Sequence, residues 1–321
     1  MEEPDHTGVR NIQWFRGLKT GLKTTWELSK IVFPVTLAVT ILRETPVIDV
    51  LAGVVEPATS WFGLPGEAAI PLVLGNLVNL YAAIGAILTM DLTVKQVFVL
   101  SVILSFAHNL ILESAFLRKV GISISLIVSI RLALAAFFGG LVHLIWDGGE
   151  EKAQFGWVPA VESNPAGLNE VLVGGLQTAA SGVLQLAAVV IPLMIAIQIM
   201  HDCRVLDRSS KWIKLFIQPL GISSRGSVAI ASGLFFGLIY GTGVIIQQAK
   251  EKKFSQREMT LILVFLASCH AAFEDTLIFL PLVSSGIWIL LLLRLFSAIV
   301  LTLVISRFWP ANERRSVVSN Q

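Results

Sequence analysis

At 321 residues, 55% of them hydrophobic and 14% charged, with a mean hydropathy of +0.76, the chain is too apolar for an ordinary soluble domain and reads as an all-α polytopic membrane protein. A formal net charge of +2 without any Lys/Arg run excludes nucleic acid as a partner. The two cysteines, Cys203 and Cys269, lie in dissimilar surroundings without CxxC spacing, so they indicate neither a disulfide framework nor a zinc knuckle and read as structural.

Residues 1–24 are polar, with Glu2, Glu3, Asp5, Arg10 and Arg16, and lack a small-residue cleavage site. They read as a cytoplasmic segment, not a secretory signal. Beyond them the chain repeats itself. An offset of 158 positions aligns Pro34 with Pro192, Asp49 with Asp207, Gly63 with Gly221, Gly75 with Gly233 and Gly85 with Gly243. Past the next loop the offset becomes 162, and His108 then meets His270. Co-registered Pro, Asp, Gly and His divide the chain into one unit at 25–146 and another at 171–309, joined by an acidic connector at 147–170 and followed by a tail at 310–321.

Each unit opens with an apolar segment, Ile31 to Leu42 or Leu184 to Met200. The first is shorter than the roughly 20 residues a span requires, unless Trp26 and Lys30 lie at the interface. Amphipathic pieces follow, Pro46 to Phe62 and Val205 to Leu220, interrupted by charges and so read as interfacial. Next come long uncharged runs, Ala68 to Met90 and Gly226 to Ala249. The His-bearing stretches, Val94 to Leu117 and Arg257 to Leu280, are expected to be continuous helices. Each unit closes with a helix carrying one arginine, Ile122 to Trp146 with Arg131 and Ile287 to Phe308 with Arg294.

Lysine and arginine collect on the cytoplasmic side of a membrane. Arg10, Arg16, Lys19, Lys23 and Lys30 place the N-terminus inside, and Arg314 and Arg315 do the same for the C-terminus. Asp147, Glu150, Glu151, Glu162 and Glu170 place the connector outside. Arg208, Lys211, Lys214, Lys250, Lys252 and Lys253 then put both ends of Gly226 to Ala249 inside, which a single crossing cannot do. The expectation is a re-entrant hairpin there and another at Ala68 to Met90, turning near Gly75-Asn76-Leu77-Val78-Asn79. Each unit then has three crossings and one hairpin, and the two units run in opposite senses, as in inverted-repeat transporters.

The stretch Gly63-Leu64-Pro65-Gly66-Glu67-Ala68-Ala69-Ile70-Pro71-Leu72-Val73-Leu74-Gly75-Asn76 resembles the opening of the gate or "nucleoside recognition" domain. That domain is shared by the ferrous-iron transporter FeoB, concentrative nucleoside transporters and the spore maturation membrane proteins. Gly221-Ile222-Ser223-Ser224-Arg225-Gly226 and Gly233 resemble it more loosely. The resemblance implies a paired gate domain lining a permeation path in the cytoplasmic membrane. It does not carry over a cargo, and without a GxxxxGK[ST] loop no nucleotide-driven step belongs to this chain.

Polar groups inside such apolar runs mark the candidate site, because ionised side chains at bilayer depth are costly and usually face a bundle interior. His108, Asn109 and Glu113 in the first unit and His270, Glu274 and Asp275 in the second are the candidate substrate- or ion-binding residues, His108 corresponding to His270 and Glu113 to Asp275. His270 and Glu274, four apart, share a helix face and form the candidate metal pair. His108 and Glu113, five apart, stand about 140° around an ideal helix and converge only through distortion. Asn109 pairs better with Glu113. Imidazole with carboxylate suits a divalent metal or a coupling ion, or a proton relay. Arg131 and Arg294 are counter-ions to these acids. Asn76 and Asn79 at the first hairpin, and Tyr240 and Thr242 at the second, are candidates to line a path, or else to satisfy freed backbone groups.

The reading reached from sequence is a permease, not an enzyme, that moves a small polar or ionic substrate, either a metal cation or a nucleoside-like molecule, by alternating access. Its partners are the lipid bilayer, the substrate and further copies of itself in a homo-oligomer. The alternative is a non-transporting scaffold or partner subunit whose polar centre only fixes helix register.

Overall fold

The molecule is apolar on its outside and charged at its centre. Trp288, Leu292 and Phe296 are 68%, 63% and 61% exposed, whereas the two largest fully buried side chains are Arg131 and Arg294. A water-soluble protein shows the reverse, since burying apolar surface drives its folding. Lipid tails remove that penalty on exposed apolar groups and leave the polar ones to be satisfied inside. The computed structural model describes residues 13–43, 45–118, 120–154, 168–238, 243–247, 254–283 and 286–309, and among these it is helical, with one isolated bridge, Thr93 to Lys152, in place of any strand.

The first unit contains α1 (Trp14–Arg43), α2 (Pro46–Thr59), α3 (Ala69–Leu77), α4 (Leu80–Ile87), α5 (Val94–Phe106), α6 (Leu110–Arg118) and α7 (Ile124–Ile145). The second contains α8 (Leu168–Asp202), α9 (Val205–Ile217), α10 (Ser227–Phe236), α11 (Gln256–Ser268), α12 (Glu274–Leu277), α13 (Leu280–Val283) and α14 (Ile287–Phe308). Two starts are closed by matching capping boxes, Thr93 with Gln96 for α5 and Ser255 with Glu258 for α11. Each satisfies two backbone donors that a buried helix end would otherwise leave unpaired.

The opening helix corrects the expectation of a short span. It begins at Trp14, not Ile31, and takes Arg16, Lys19 and Lys23 into its first turns. Its buried seam is Gly17, Gly21, Thr25, Val32, Thr36 and Val39, spaced three, four or seven apart straight through the cationic stretch. Small residues carry that seam, so hydropathy alone does not register it. The seam packs on α8, which likewise starts well before Leu184. Gly17 lies against Ile195 and Gly21 against Ile191, while Gly175 lies against Leu37 and Thr40. The two helices therefore run antiparallel.

The His-bearing helices are not continuous, a second correction. α5 stops at Phe106 and the chain resumes as α6 at Leu110, while α11 stops at Ser268 and resumes as α12 at Glu274. Asn109 and Ala271 take left-handed φ values of 51° and 40° at these breaks. Their N–H groups leave the helical ladder and donate to Gly75 O and Gly233 O, each at 2.8 Å. A tertiary acceptor thus replaces the local one.

Between α3 and α4 the backbone leaves the helix at Val78 and Asn79. A Cβ added at Gly75 would stand 3.2 Å from that of Ala83, whereas eight residues along one helix span about 12 Å. The chain folds back on itself there. α10 ends at Gly237, with φ 90°, and residues 243–247 are helical again.

Among the described residues five helical stretches are long and apolar enough to cross a membrane: Trp14–Arg43, Val94–Ala115 with its break, Ile124–Ile145, Asn169–Asp202 and Ile287–Phe308. The expected sixth, Arg257 to Leu280, is a 13-residue helix followed by short pieces. α5 and α11 form the centre. Val97 to Ala107 and Met259 to Ser268 are buried on every face. α5 packs on α7 and α11 on α14, and the packing is reciprocal between units, with α7 also against α11 and α14 also against α5.

Candidate functional site

The two helix breaks meet in the middle of this packing. In the first, the end of α5 presents the His108 ring inward, and Nδ1 lies 2.6 Å from Leu104 O, one turn back. In the second, His270 Nδ1 lies 2.9 Å from Leu266 O. Each ring thereby spans its own break and holds a carbonyl that the interrupted helix leaves free. The rings face each other, with centroids 5.3 Å apart and planes tilted by 43°.

The arginines on the closing helices hold both breaks in place. Arg131 Nη2 donates to His108 O at 2.8 Å, Nε to Phe106 O at 2.7 Å, and Nη1 to Glu113 Oε2. Arg294 Nη2 donates to His270 O at 2.6 Å and to Asp275 Oδ2 at 3.0 Å, and Nη1 to Thr276 Oγ1 at 3.4 Å. Each guanidinium thus joins the carbonyl at the break to the acid beyond it. His108, Glu113, Arg131, His270, Asp275 and Arg294 are all buried. Ions this deep persist only when paired and hydrogen-bonded.

The acids reach across the boundary between the units. Glu113 Oε1 lies 3.2 Å from His270 Nε2 and 3.9 Å from His108 Nε2. Asp275 Oδ2 lies 3.6 Å from both Nε2 atoms. His108, His270 and Asp275 present ligand atoms within 4.8 Å of one another. Although Glu113 is close to His270 Nε2, that nitrogen has no partner in hydrogen-bond geometry, and Arg294 Nε, Asn109 Oδ1 and Asn76 Oδ1 are also buried without one. Two carboxylates opposite two guanidinium groups make the centre formally neutral when both imidazoles are neutral.

The break separates two expected pairs and creates another. His270 and Glu274 do not share a face, because residues 269–273 are not helical, and no ion pair joins them. Glu274 Oε1 instead accepts from Tyr81 Oη at 3.3 Å. Asn109 does not pair with Glu113 through its side chain; the two are linked by Glu113 N donating to Asn109 O at 3.0 Å. His108 and Glu113 approach each other through a distortion at the position that separates them.

Asn79 Oδ1 accepts from Ala82 N at 2.8 Å and caps α4, and Asn76 Nδ2 donates to Leu72 O at 2.7 Å. Only the Asn79 amide thus serves a backbone group freed by a helix end, since Leu72 and Asn76 both lie within α3. Thr242 and Tyr240 lie outside the described residues. Sequence reasoning missed Tyr81, whose partner is remote in the chain, and the carbonyls of Leu104, Leu266, Gly75 and Gly233, which carry no residue-type signal. Tyr81 also lines an apolar void of about 20 Å³ with Val32, Ile84, Leu88, Gln185 and Ile278, room for roughly one water.

Comparison with known proteins agrees with the apolar exterior. The chain is 50% identical over 293 residues to "Uncharacterized membrane protein YvoD" of Bacillus subtilis (strain 168), covering 91% of this chain and 94% of that protein. No solved structure matches. The pattern of the Gate family, described as nucleoside recognition, matches residues 25–139 and 183–281, and with both units covered in this way the chain belongs to the Gate family of membrane proteins.

Proposed function

We propose that this Gate-family membrane protein is a permease that moves a small polar or ionic solute across the cytoplasmic membrane by alternating access. One observation carries the reading: an imidazole and a carboxylate from each unit converge to within 3.2–3.9 Å at the junction of the units. A cluster of this kind at bilayer depth is the usual mark of an ion or substrate path. The antiparallel α1 and α8, which carry the matching Pro34 and Pro192, support two units of opposite orientation. The fold-back between α3 and α4 and the break at Gly237 support paired re-entrant hairpins, with six crossings in all and both termini cytoplasmic. In the conformation described, the centre is closed.

A second reading, a scaffold without transport, is favoured by the charge balance, since each acid is already held by its own arginine. Uptake into proteoliposomes separates the two. Wild type should accumulate a small solute from a panel of divalent cations and nucleosides, and His270→Ala should abolish uptake while retaining a monodisperse, folded protein. A wild type that moves nothing from the panel, with His270→Ala failing to fold, would establish the scaffold. Cysteines placed on either side of Gly75 should label from one face of the membrane; labelling from opposite faces would remove the hairpin.

A further inference from the structure

The backbone fixes the tautomers in this centre. A carbonyl oxygen only accepts, so the contacts of His108 Nδ1 with Leu104 O and of His270 Nδ1 with Leu266 O, at 2.6 and 2.9 Å, put the proton of each ring on Nδ1. Each Nε2 of a neutral ring is then a bare lone pair. What faces it is another acceptor: Glu113 Oε1 at 3.2 and 3.9 Å and Asp275 Oδ2 at 3.6 Å from each ring. Each carboxylate accepts from its own arginine, Glu113 from Arg131 and Asp275 from Arg294. Four lone-pair atoms therefore crowd a buried space with no hydrogen between them, an arrangement that repels itself unless a cation lies among them.

A proton on His270 Nε2 is one such cation, but geometry disfavours it there. On His270 Nε2 it would lie in the plane of the ring along the N–H direction, where no acceptor is aligned, although Glu113 Oε1 is only 3.2 Å away. A metal ion can lie off the line between two ligand atoms. Tetrahedral coordination with bonds of about 2.0–2.2 Å has ligand–ligand edges of about 3.3–3.6 Å. Asp275 Oδ2 lies 3.6 Å from each Nε2, at the length of such an edge, and the ligand atoms of His108, His270 and Asp275 lie within 4.8 Å of one another. The second ring nitrogens are already oriented by carbonyls, as metal-bound histidines require.

We infer that the centre binds a single divalent first-row transition cation through Nε2 of His108, Nε2 of His270 and Oδ2 of Asp275. Two imidazoles select such an ion over Mg²⁺ or Ca²⁺, which prefer oxygen ligands. The ion enters a site whose acids are already balanced by arginines, so it is held exchangeably, as suits a cargo that must also leave. As a statement about cargo, the inference rests on the permease reading and narrows its solute class; as a statement about binding, it stands alone.

Co²⁺ is the probe, added to the purified full-length protein in detergent after chelator treatment. The wild type should bind one Co²⁺ per chain, with visible d–d bands of four-coordinate cobalt and no thiolate charge-transfer band, because Cys269 is not a ligand. His270→Gln and Asp275→Asn should each weaken binding by roughly 100-fold or more, judged against the 10- to 100-fold typical of losing an outer-shell partner. Glu274→Gln, which would remove a ligand in the rejected His270–Glu274 pairing, should leave the spectrum unchanged. Wild-type protein without d–d bands at millimolar Co²⁺, or a folded His108→Gln/His270→Gln variant that keeps them, would overturn the inference. Co²⁺ binding without Co²⁺ uptake by proteoliposomes would sustain the site and remove the permease. Uptake of a non-metal solute by protein that binds no Co²⁺ would do the opposite.

Discussion

The break at His108 and the break at His270 share a plan but differ in completeness. At the first, every guanidinium nitrogen of Arg131 has a partner, and the left-handed position is held by Asn109, a residue that tolerates it, with only its Oδ1 left buried without a partner. At the second, Arg294 Nε and His270 Nε2 are both buried without a partner, and the left-handed position is held by Ala271, which is strained there. The second also has a further acid, Glu274, where the first has the exposed Leu112. Strain and unmet polar groups tend to collect where a protein changes state. The contrast makes the second break the more strained of the two.

The largest effect that tests this contrast comes from the arginines. Arg131→Met leaves Glu113 buried and unpaired, at a cost of about 3–5 kcal/mol, and Arg294→Met should cost less because Arg294 Nε is already unpartnered and its contact with Thr276 Oγ1 is long, at 3.4 Å. Thermal unfolding in detergent ranks the two, and Glu113→Gln added to Arg131→Met should restore much of the loss. Equal losses would mean that the breaks are equivalent. Next come the close approaches. An added Cβ at Gly75 or Gly233 meets the leucine one turn before the partner histidine, Leu104 or Leu266, and Gly75 also meets Ala83. Substitution by alanine should cost roughly 1–3 kcal/mol at each, more at Gly75, as read by the same unfolding measurement.

Smaller changes probe the backbone. Ala271→Gly relieves a left-handed alanine and should stabilise by about 0.5–1 kcal/mol after the added freedom of the unfolded chain is counted, whereas Asn109→Gly should gain nothing. A gain at both positions would erase the distinction. The smallest effect is expected from Tyr81→Phe, which removes a 3.3 Å contact with Glu274 and should cost below about 1 kcal/mol. A loss well above that figure in thermal unfolding would give the Tyr81–Glu274 contact a larger structural part than its length implies.

Much of the site could be read from residue types, because ionisable groups inside apolar runs are expensive and stand out in a one-dimensional pattern. His108, Glu113, Arg131, His270, Asp275 and Arg294 are conspicuous for that reason. The pairing between them was not legible. Helical spacing joins His270 to Glu274, and that rule fails here because the helix ends at Ser268. The start of α1 was hidden for a related reason: Gly17, Gly21 and Thr25 carry its buried seam, and small residues barely register in a hydropathy average.

The sequence by itself determined that this chain lives in a membrane, is helical, belongs to the Gate family and carries charge into its apolar interior, since composition and local patterning govern how each segment partitions between lipid and water. Only the tertiary structure decided where the helices break and which acid faces which imidazole. Those outcomes depend on the carbonyls of Gly75 and Gly233 arriving from elsewhere in the chain to accept the N–H of Asn109 and Ala271. A backbone acceptor has the same chemistry at every residue, so no alphabet of side chains can announce it.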